Sequence, residues 1–356
     1  MAINRRAIIE QTLGKIREEM PDETIGRYED LGSDVDVETI STGSLAVDSV
    51  IGGGFAKGRL VELVGFTSSG KTTLALTAVA HLQKENPEAN ILYIDAENSL
   101  DPSYARSLGV NINDVYLIQP NNGEDGYKAA EMFIDSGVAD LVVIDSIAAM
   151  IPKVLLETEM GETAQIGAGA RLDSQGISHI FNKANKTKCT VILINQWKKA
   201  VKVNAFDAGD GVSGNYYQSG GQSLPFFLTQ MLEIKRVGKL YEGDEVVSNQ
   251  IRMTARKNKI APPYRTADFF ITFGRGLDAA QEACDLGVQF GFVEKIGRSI
   301  FQIKGVPESK FNGRQKFVNW LNDNPDELEE LRNNIKDAIM DKNVQDITIE
   351  RDEDDL

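Results

Sequence analysis

The chain has 356 residues, 42% of them hydrophobic and 26% charged, and a formal charge of −15. Such a length holds one large domain with one or two small ones, and the composition is that of an ordinary globular protein. No apolar run approaches the ~18 residues of a membrane span, Met1-Ala2-Ile3-Asn4-Arg5-Arg6 reads as lacking a signal peptide, and no Cys/His cluster has zinc-site spacing.

Cys189 and Cys284 lie far apart in apolar surroundings, which points to small core residues in a reducing cytoplasm. The net charge alone argues against a nucleic-acid binder, but it is uneven. Residues 326–356 hold twelve acidic and four basic side chains, a net −8; the other 325 residues carry 34 basic against 41 acidic, a net −7. The end, Arg351-Asp352-Glu353-Asp354-Asp355-Leu356, reads as a disordered tail. It serves either as a solubiliser or as an internal competitor for a cationic DNA groove.

Ile3, Ile8, Ile9, Leu13 and Ile16 fall near helical spacing and predict an amphipathic helix over 3–20. A polar, acidic connector follows, roughly Pro21 to Glu38, and Thr39 to Ser44 leads toward the Gly52-Gly53-Gly54 turn. A core domain is expected from 34 to 272. Its first strand is Leu60–Val64 and its first helix Thr73–Ala80. Strands Ile91–Asp95, Val115–Gln119, Leu141–Asp145 and Thr190–Asn195 alternate with helices Pro102–Leu108, Gly123–Ser136 and Arg171–Lys186. Continuous apolar strands imply a parallel sheet covered on both faces. Phe227–Val237, Gln250–Arg256 and Ala267–Phe273 read as consecutive strands extending that sheet. From 273 to 342 the pattern changes to short helices around a hairpin near Arg298–Gly305. A last amphipathic helix opens at Pro325, with Leu328, Leu331, Ile335 and Ile339 on one face.

Between the first strand and helix stands Gly65-Phe66-Thr67-Ser68-Ser69-Gly70-Lys71-Thr72, with the spacing of a phosphate-binding loop. Its glycines let backbone N–H groups point at an anion, and the helix start adds partial positive charge. Lys71 would reach the β- and γ-phosphates, and the Thr72 hydroxyl would ligate Mg²⁺. Asp145, after four apolar residues, would hold Mg²⁺ through water. Asp95-Ala96-Glu97 offers a carboxylate to activate a water; Glu97, just past the strand, is the candidate, with Asp95 supporting the sheet edge. Asn195-Gln196 ends another strand, where a neutral amide can bond a γ-phosphate and lose it on hydrolysis. Two polar segments containing glycine, 157–169 and 197–221, interrupt the core. The second carries Lys198, Lys199 and Lys202, then Gly220 and Gly221, which suits a phosphate-backbone binder. A further basic set comprises Lys235, Arg236, Lys239, Arg252, Arg256, Lys257 and Lys259.

Taken in order, these stretches resemble the bacterial RecA recombinases over most of 35–325. They are Ser41-Thr42-Gly43-Ser44-Leu45, the loop through Thr73, Ile94-Asp95-Ala96-Glu97, Asp101-Pro102-Ser103-Tyr104-Ala105-Arg106, Val143-Ile144-Asp145-Ser146, Ile194-Asn195-Gln196 and Lys257-Asn258-Lys259-Ile260-Ala261. The resemblance implies an α/β fold: a RecA-type P-loop ATPase core with a mostly parallel central sheet flanked by helices, an N-terminal oligomerisation helix with linker (1–33), a small α+β C-terminal domain (273–342) and an acidic tail (343–356). It implies Glu97 as catalytic base and Gln196 as γ-phosphate sensor, with Asp101 and Tyr104 at the adenine. Lys257 and Lys259 would reach the ATP of a neighbouring subunit. Segments 157–169 and 197–221 would be DNA loops, with Arg171 just after the first, and Ile166 and Val201 would insert between bases. Lys235, Arg236 and Arg252 would bind a second strand, and Phe226 would sit at a subunit interface. The implied activity is DNA-dependent ATP hydrolysis by a helical homo-oligomer that binds single- and double-stranded DNA and drives strand exchange. Loader or repressor proteins are further implied partners. Pro225, Asn98, Trp197 and Thr254 depart from the family's usual residues, as in a divergent, for example phage-encoded, member. A ring-forming motor or nucleotide-switched regulator of the same fold is the alternative.

Overall fold

A computed structural model describes residues 5–21, 25–27, 37–159, 167–199 and 216–341. The chain divides into two compact units, Met1–Glu38 and Thr39–Leu356. In the first, helix α1 (Arg5–Glu19) buries none of its side chains, and Arg27 pairs with Glu10 at 2.5 Å.

The second unit opens with β1 (Thr39–Ile40), helix α2 (Leu45–Ile51) and β2 (Phe55–Ala56). Then come β3 (Leu60–Gly65), α3 (Lys71–Glu85), β4 (Ile91–Asp95), α4 (Pro102–Ser107), β5 (Val115–Ile118), α5 (Gly123–Asp135) and β6 (Leu141–Asp145). Helices α6 (Lys153–Glu157) and α7 (Ala168–Thr187) precede β7 (Thr190–Lys199), β8 (Tyr216–Gln218), α8 (Leu224–Phe227), β9 (Leu228–Glu242), β10 (Glu245–Asn258), β11 (Thr266–Thr272) and β12 (Gly276–Leu277). The central sheet runs β12-β11-β10-β9-β3-β7-β6-β4-β5. Strands β9, β3, β7, β6, β4 and β5 are parallel, whereas β10, β11 and β12 continue antiparallel.

Every residue of β3, β4 and β6 is buried, so these strands read as near-continuous apolar runs, interrupted inside β3 by the buried Glu62. Alternate residues feed opposite layers. Val61, Leu63, Val143 and Ile192 join α2 and α3 in one cluster; Leu60, Val64, Val142 and Val191 join α5 and α7 in the other. Both cysteines are buried and free.

Beyond β12, helix α9 (Ala279–Phe290), the antiparallel strands β13 (Val293–Ile296), β14 (Ile300–Ile303) and β15 (Phe311–Asn312), and helices α10 (Arg314–Asp323) and α11 (Pro325–Asp341) complete the described residues. Leu331, Ile335 and Ile339 of α11 enter the same cluster as Leu74 of α3. Glu282 of α9 accepts the Leu45 and Ala46 N–H groups at 3.0 and 3.2 Å, capping the start of α2, and Arg332 bonds Glu282 at 3.1 Å.

Three details differ from the sequence reading. Helix α2 was not foreseen: all seven of its residues are buried, which leaves no polar face to reveal a period. The hairpin spans 293–303, and Arg298 lies in its turn. Strand β7 does not stop at Asn195. It continues through Trp197, Lys198 and Lys199, because these pair with β8 in an antiparallel ribbon; only the part between, 200–215, lies outside the described residues.

Candidate active site and nucleic-acid interface

The glycine loop leaves β3 at the carboxyl edge of the sheet and enters α3. Gly65 admits no side chain, since a Cβ there would overlap the Ile234 carbonyl of β9. Gly70 caps α3 with φ 97°, and Ser68 takes φ 57°, so the loop curls as an anion cradle does. Lys71 is buried and folds back on its own loop. Its ammonium donates to the Phe66 carbonyl at 2.8 Å, the Gly65 carbonyl at 3.1 Å and Ser69 Oγ at 3.4 Å. Burial pushes Lys71 down to about 8, against the pull of Asp145 and Glu97. Phe66 and Thr67 are exposed at the loop tip.

Thr72 Oγ1 donates to Asp145 Oδ2 at 2.8 Å, and Tyr93 OH donates to the same oxygen at 2.7 Å. Burial raises Asp145 above the ordinary carboxylate range; the Tyr93 and Thr72 bonds oppose it. A hydroxyl and a carboxylate side by side are hard oxygen donors that fit Mg²⁺ completed by water and phosphate oxygens. Among the described residues no group of three or more His, Cys, Asp or Glu could hold a metal ion.

Glu97 Oε1 receives Ser146 Oγ and Gln196 Nε2, both at 2.6 Å. Asp95 is taken up structurally by the Ser99 and Leu100 N–H groups and by Gln119 Nε2, each at 3.1 Å. The two acids therefore differ in their partners: Asp95 ties the sheet edge to the following turn, and Glu97 bonds two side chains of the cleft. Gln196 lies in register with Gly65, so β7 sets its side-chain amide beside the loop. Tyr104 OH meets Thr73 Oγ1 at 2.8 Å, and Asp101 caps α4 through the Ser103 N–H.

Lys257 and Lys259 are not part of this cleft. Asn258 pairs with Gln230, which pairs with Val61 near the start of β3. That is the amino edge, opposite the glycine loop. There Lys257 Nζ donates to the Pro225 carbonyl, and Lys259 N–H to Thr229 O at 3.0 Å. Burial and the Lys259 charge push Lys257 down.

The proposed DNA residues form two groups. Arg171, on α7, and Gly221 line an open groove of about 630 Å³ with Ser174, His179 and Ser223. Lys198 and Lys199 are exposed on the ribbon. Gly220 is buried at its foot with φ 101°. Lys235 and Arg252 line a second recess of about 390 Å³ with Phe66, Tyr216, Glu233 and Arg256. Arg236 is exposed next to Lys235. Arg252 is bound bidentately to Asp268 at 2.8 and 2.9 Å, and Arg256 to Glu233. Ile166, Val201 and Lys202 lie outside the described residues. Sequence reasoning gave no role to Tyr93, Asp173, Glu62, Asp268 or Glu233. Their partners stand far along the chain or across a strand, and no local spacing signals them.

A phosphate loop at the carboxyl edge of a mostly parallel sheet, with an acid at the same edge two strands away, beyond β7, defines a P-loop nucleotide-binding α/β protein. The family described as the RecA N-terminal domain matches residues 7–278. Protein RecA of Levilactobacillus brevis is 40% identical over 341 residues, covering 95% of this chain and 86% of that protein. Protein RecA of Psychrobacter cryohalolentis is 39% identical over 334 residues, 94% and 91% of the two chains. That of Thioalkalivibrio sulfidiphilus is 38% identical over 341 residues, 95% of each. The chain belongs to the RecA family of DNA recombinases, whose members bind and hydrolyse ATP. Among the described residues no helix is long and apolar enough to cross a membrane.

Proposed function

We propose that this chain is a DNA-dependent ATPase of the bacterial cytoplasm that assembles as a helical homo-oligomer on single-stranded DNA and exchanges its strand with a homologous duplex. The observation that carries the reading is strand β7. One unbroken strand bears Gln196, bonded to Glu97 at 2.6 Å, and three residues later Lys199 of the ribbon. Cleft and loop therefore move as neighbours on one element.

In this reading Gly65, Phe66, Thr67, Ser68, Ser69 and Gly70 cradle the phosphates with their N–H groups. Lys71 exchanges the carbonyls of its own loop for phosphate oxygens. Thr72 directly, and Asp145 through water, hold Mg²⁺, which supplies charge neutralisation to the phosphates. Glu97 accepts the proton of the attacking water, and Ser146 and Gln196 orient its carboxylate. Asp101, Tyr104 and Thr73 face the nucleoside. Lys257 and Lys259, remote from their own cleft, serve the cleft of the next copy, which the N-terminal segment 1–33 helps to place. Arg171, Lys198, Lys199, Lys202, Gly220 and Gly221, with Ile166 and Val201, grip the first strand; Lys235, Arg236 and Arg252 grip the second. Residues 34–272 act as the ATPase core and 273–342 as a small domain, with 343–356 as an acidic tail. Loader or repressor proteins are further partners.

ATP hydrolysis measured with and without single-stranded DNA, alongside electron microscopy, tests the proposal. DNA-stimulated turnover with helical filaments is the expected result. Closed rings with turnover indifferent to DNA would favour a motor of the same fold and refute it.

A further inference from the structure

Glu62 lies on β3, three residues before Gly65, and is fully buried. The chemistry of the cleft does not use it. Its Oε1 accepts Asn195 Nδ2 at 2.7 Å. The same Asn195 nitrogen donates to Ser219 O at 2.9 Å, and Asn195 Oδ1 accepts the Gln196 N–H at 2.8 Å. One buried amide thus has both donors and its acceptor engaged, so its orientation is fixed by Glu62 on one side and by the returning limb of the second loop on the other. The next residue of that limb is held as well: Gly220 N–H bonds Asp173, whose Oδ1 accepts Tyr127 OH at 2.9 Å.

The arrangement is not closed. Gln218 of the limb lies near enough to Glu62 to lower its pKa, yet among the described residues Glu62 Oε2 and Gln218 Oε1 are both without a hydrogen-bond partner. A buried carboxylate costs more than an amide for the same single bond, and burial pushes Glu62 up to about 7, against the pull of Asn195 and Gln218. A carboxylate with one oxygen spare beside an unsatisfied amide is what a two-arrangement element leaves in one of its states.

We infer that Glu62 is a positioning residue that, through Asn195, links the strand of the phosphate loop to Gln196 and to the limb Gln218–Gly220. When the second loop binds DNA, the limb shifts, Asn195 follows it, and Gln196 is re-aimed at the γ-phosphate end of the cleft. The inference rests on the DNA-dependent ATPase reading and names the physical link inside it.

The test uses the full chain. Turnover is measured without and with saturating single-stranded DNA for the wild type, Glu62→Met and Glu62→Gln, together with melting and binding of a fluorescent ADP. Glu62→Met is expected to keep DNA-independent turnover and ADP affinity within about twofold while the DNA stimulation falls about tenfold, an ordinary size for coupling between sites. Glu62→Gln, which still offers Asn195 an acceptor, is expected to retain most of the stimulation. Unchanged stimulation in Glu62→Met, or an equal fall of basal and stimulated rates, would overturn the inference. Hydrogen exchange on the wild type decides the matter without any variant. DNA added to the nucleotide-bound chain must alter exchange at Gln196 and Gly220 together, and a change at Gly220 alone would refute the link. A wild type whose turnover ignores DNA is a different outcome, and sinks the functional reading itself.

Discussion

The two halves of the central sheet handle charge in opposite ways. In the parallel half, polar groups at the carboxyl edge are each held by several elements: Asp145 by Thr72 and Tyr93, Glu97 by Ser146 and Gln196, Asp95 by two N–H groups and Gln119. In the antiparallel half, β9 to β11, charges pair across strands on an accessible face, Arg252 with Asp268 and Arg256 with Glu233. Groups with several partners have fixed positions, as general-base and cation chemistry require, and burial raises Asp145 among them. A cation that faces solvent and has one carboxylate partner contributes little to stability and can exchange that carboxylate for a phosphate. Geometry thus separates a region built for chemistry from one suited to electrostatic grip.

The contrast breaks most visibly at Glu97. Glu97→Gln keeps the shape and an acceptor for Ser146 but cannot take a proton. Turnover is expected to fall about 10²–10⁴-fold, the range of general-base catalysis, while nucleotide and DNA binding persist. Single-turnover hydrolysis with parallel binding titrations measures both. Undiminished turnover would remove the base role from Glu97, and the engaged Asp95 would not inherit it easily.

A buried acid away from the cleft sharpens the comparison through pH. Asp48 of α2 accepts Ser41 Oγ at 2.5 Å and the Thr42 N–H and hydroxyl at 2.9 and 2.6 Å. Burial nevertheless lifts it from 3.8 to about 7, with Glu282 adding to the rise. Folded Asp48 therefore binds a proton that unfolded Asp48 releases between about 4 and 7, so its contribution to stability is complete below that window and is lost as pH rises through it. Asp48→Asn preserves an acceptor for Thr42 and removes the titration. Its melting temperature is expected to exceed that of the wild type most at pH 8, with the difference shrinking toward pH 5. A difference independent of pH would show that Asp48 is not protonated as its burial demands.

The same contrast explains what could be read from the sequence. The phosphate loop, Asp145, Glu97 and Gln196 each follow an apolar strand run, so a one-dimensional pattern places them at one edge. The parallel sheet follows from continuous apolar runs alternating with helix-like ones, and its extension from later runs that follow one another without a helix between them. Helix α2 escaped notice because burial on all sides erases periodicity. The ribbon escaped because Trp197-Lys198-Lys199 becomes strand only by pairing with Tyr216–Gln218. Glu62 is joined to its amide partner across 133 positions of sequence, and no spacing rule reaches that far. Arg252 could be picked out as a cation, but its carboxylate partner depends on strand register.

That register yields the smallest predicted effect and the most direct test of exchangeable charge. Arg252 stands between Lys235 on β9 and Asp268 on β11, with its side chain 45% exposed and that of Asp268 4% exposed. Duplex DNA at this face must draw Arg252 from a bidentate carboxylate, and that loss offsets part of the new attraction to phosphate. Asp268→Asn keeps the side-chain size and one acceptor oxygen but discharges the competitor and ends the bidentate pair. Duplex affinity is expected to rise a few-fold, and the slope of log K against log salt to steepen by about 0.9, the value of one additional phosphate neutralised. Arg252→Ala should flatten that slope by a similar amount and weaken binding alike for all sequences. Titrations between 50 and 200 mM salt, the range in which such slopes are read, distinguish the two variants. If Asp268→Asn leaves both affinity and slope where they were, Arg252 is a structural partner of β11 and the second strand is held elsewhere.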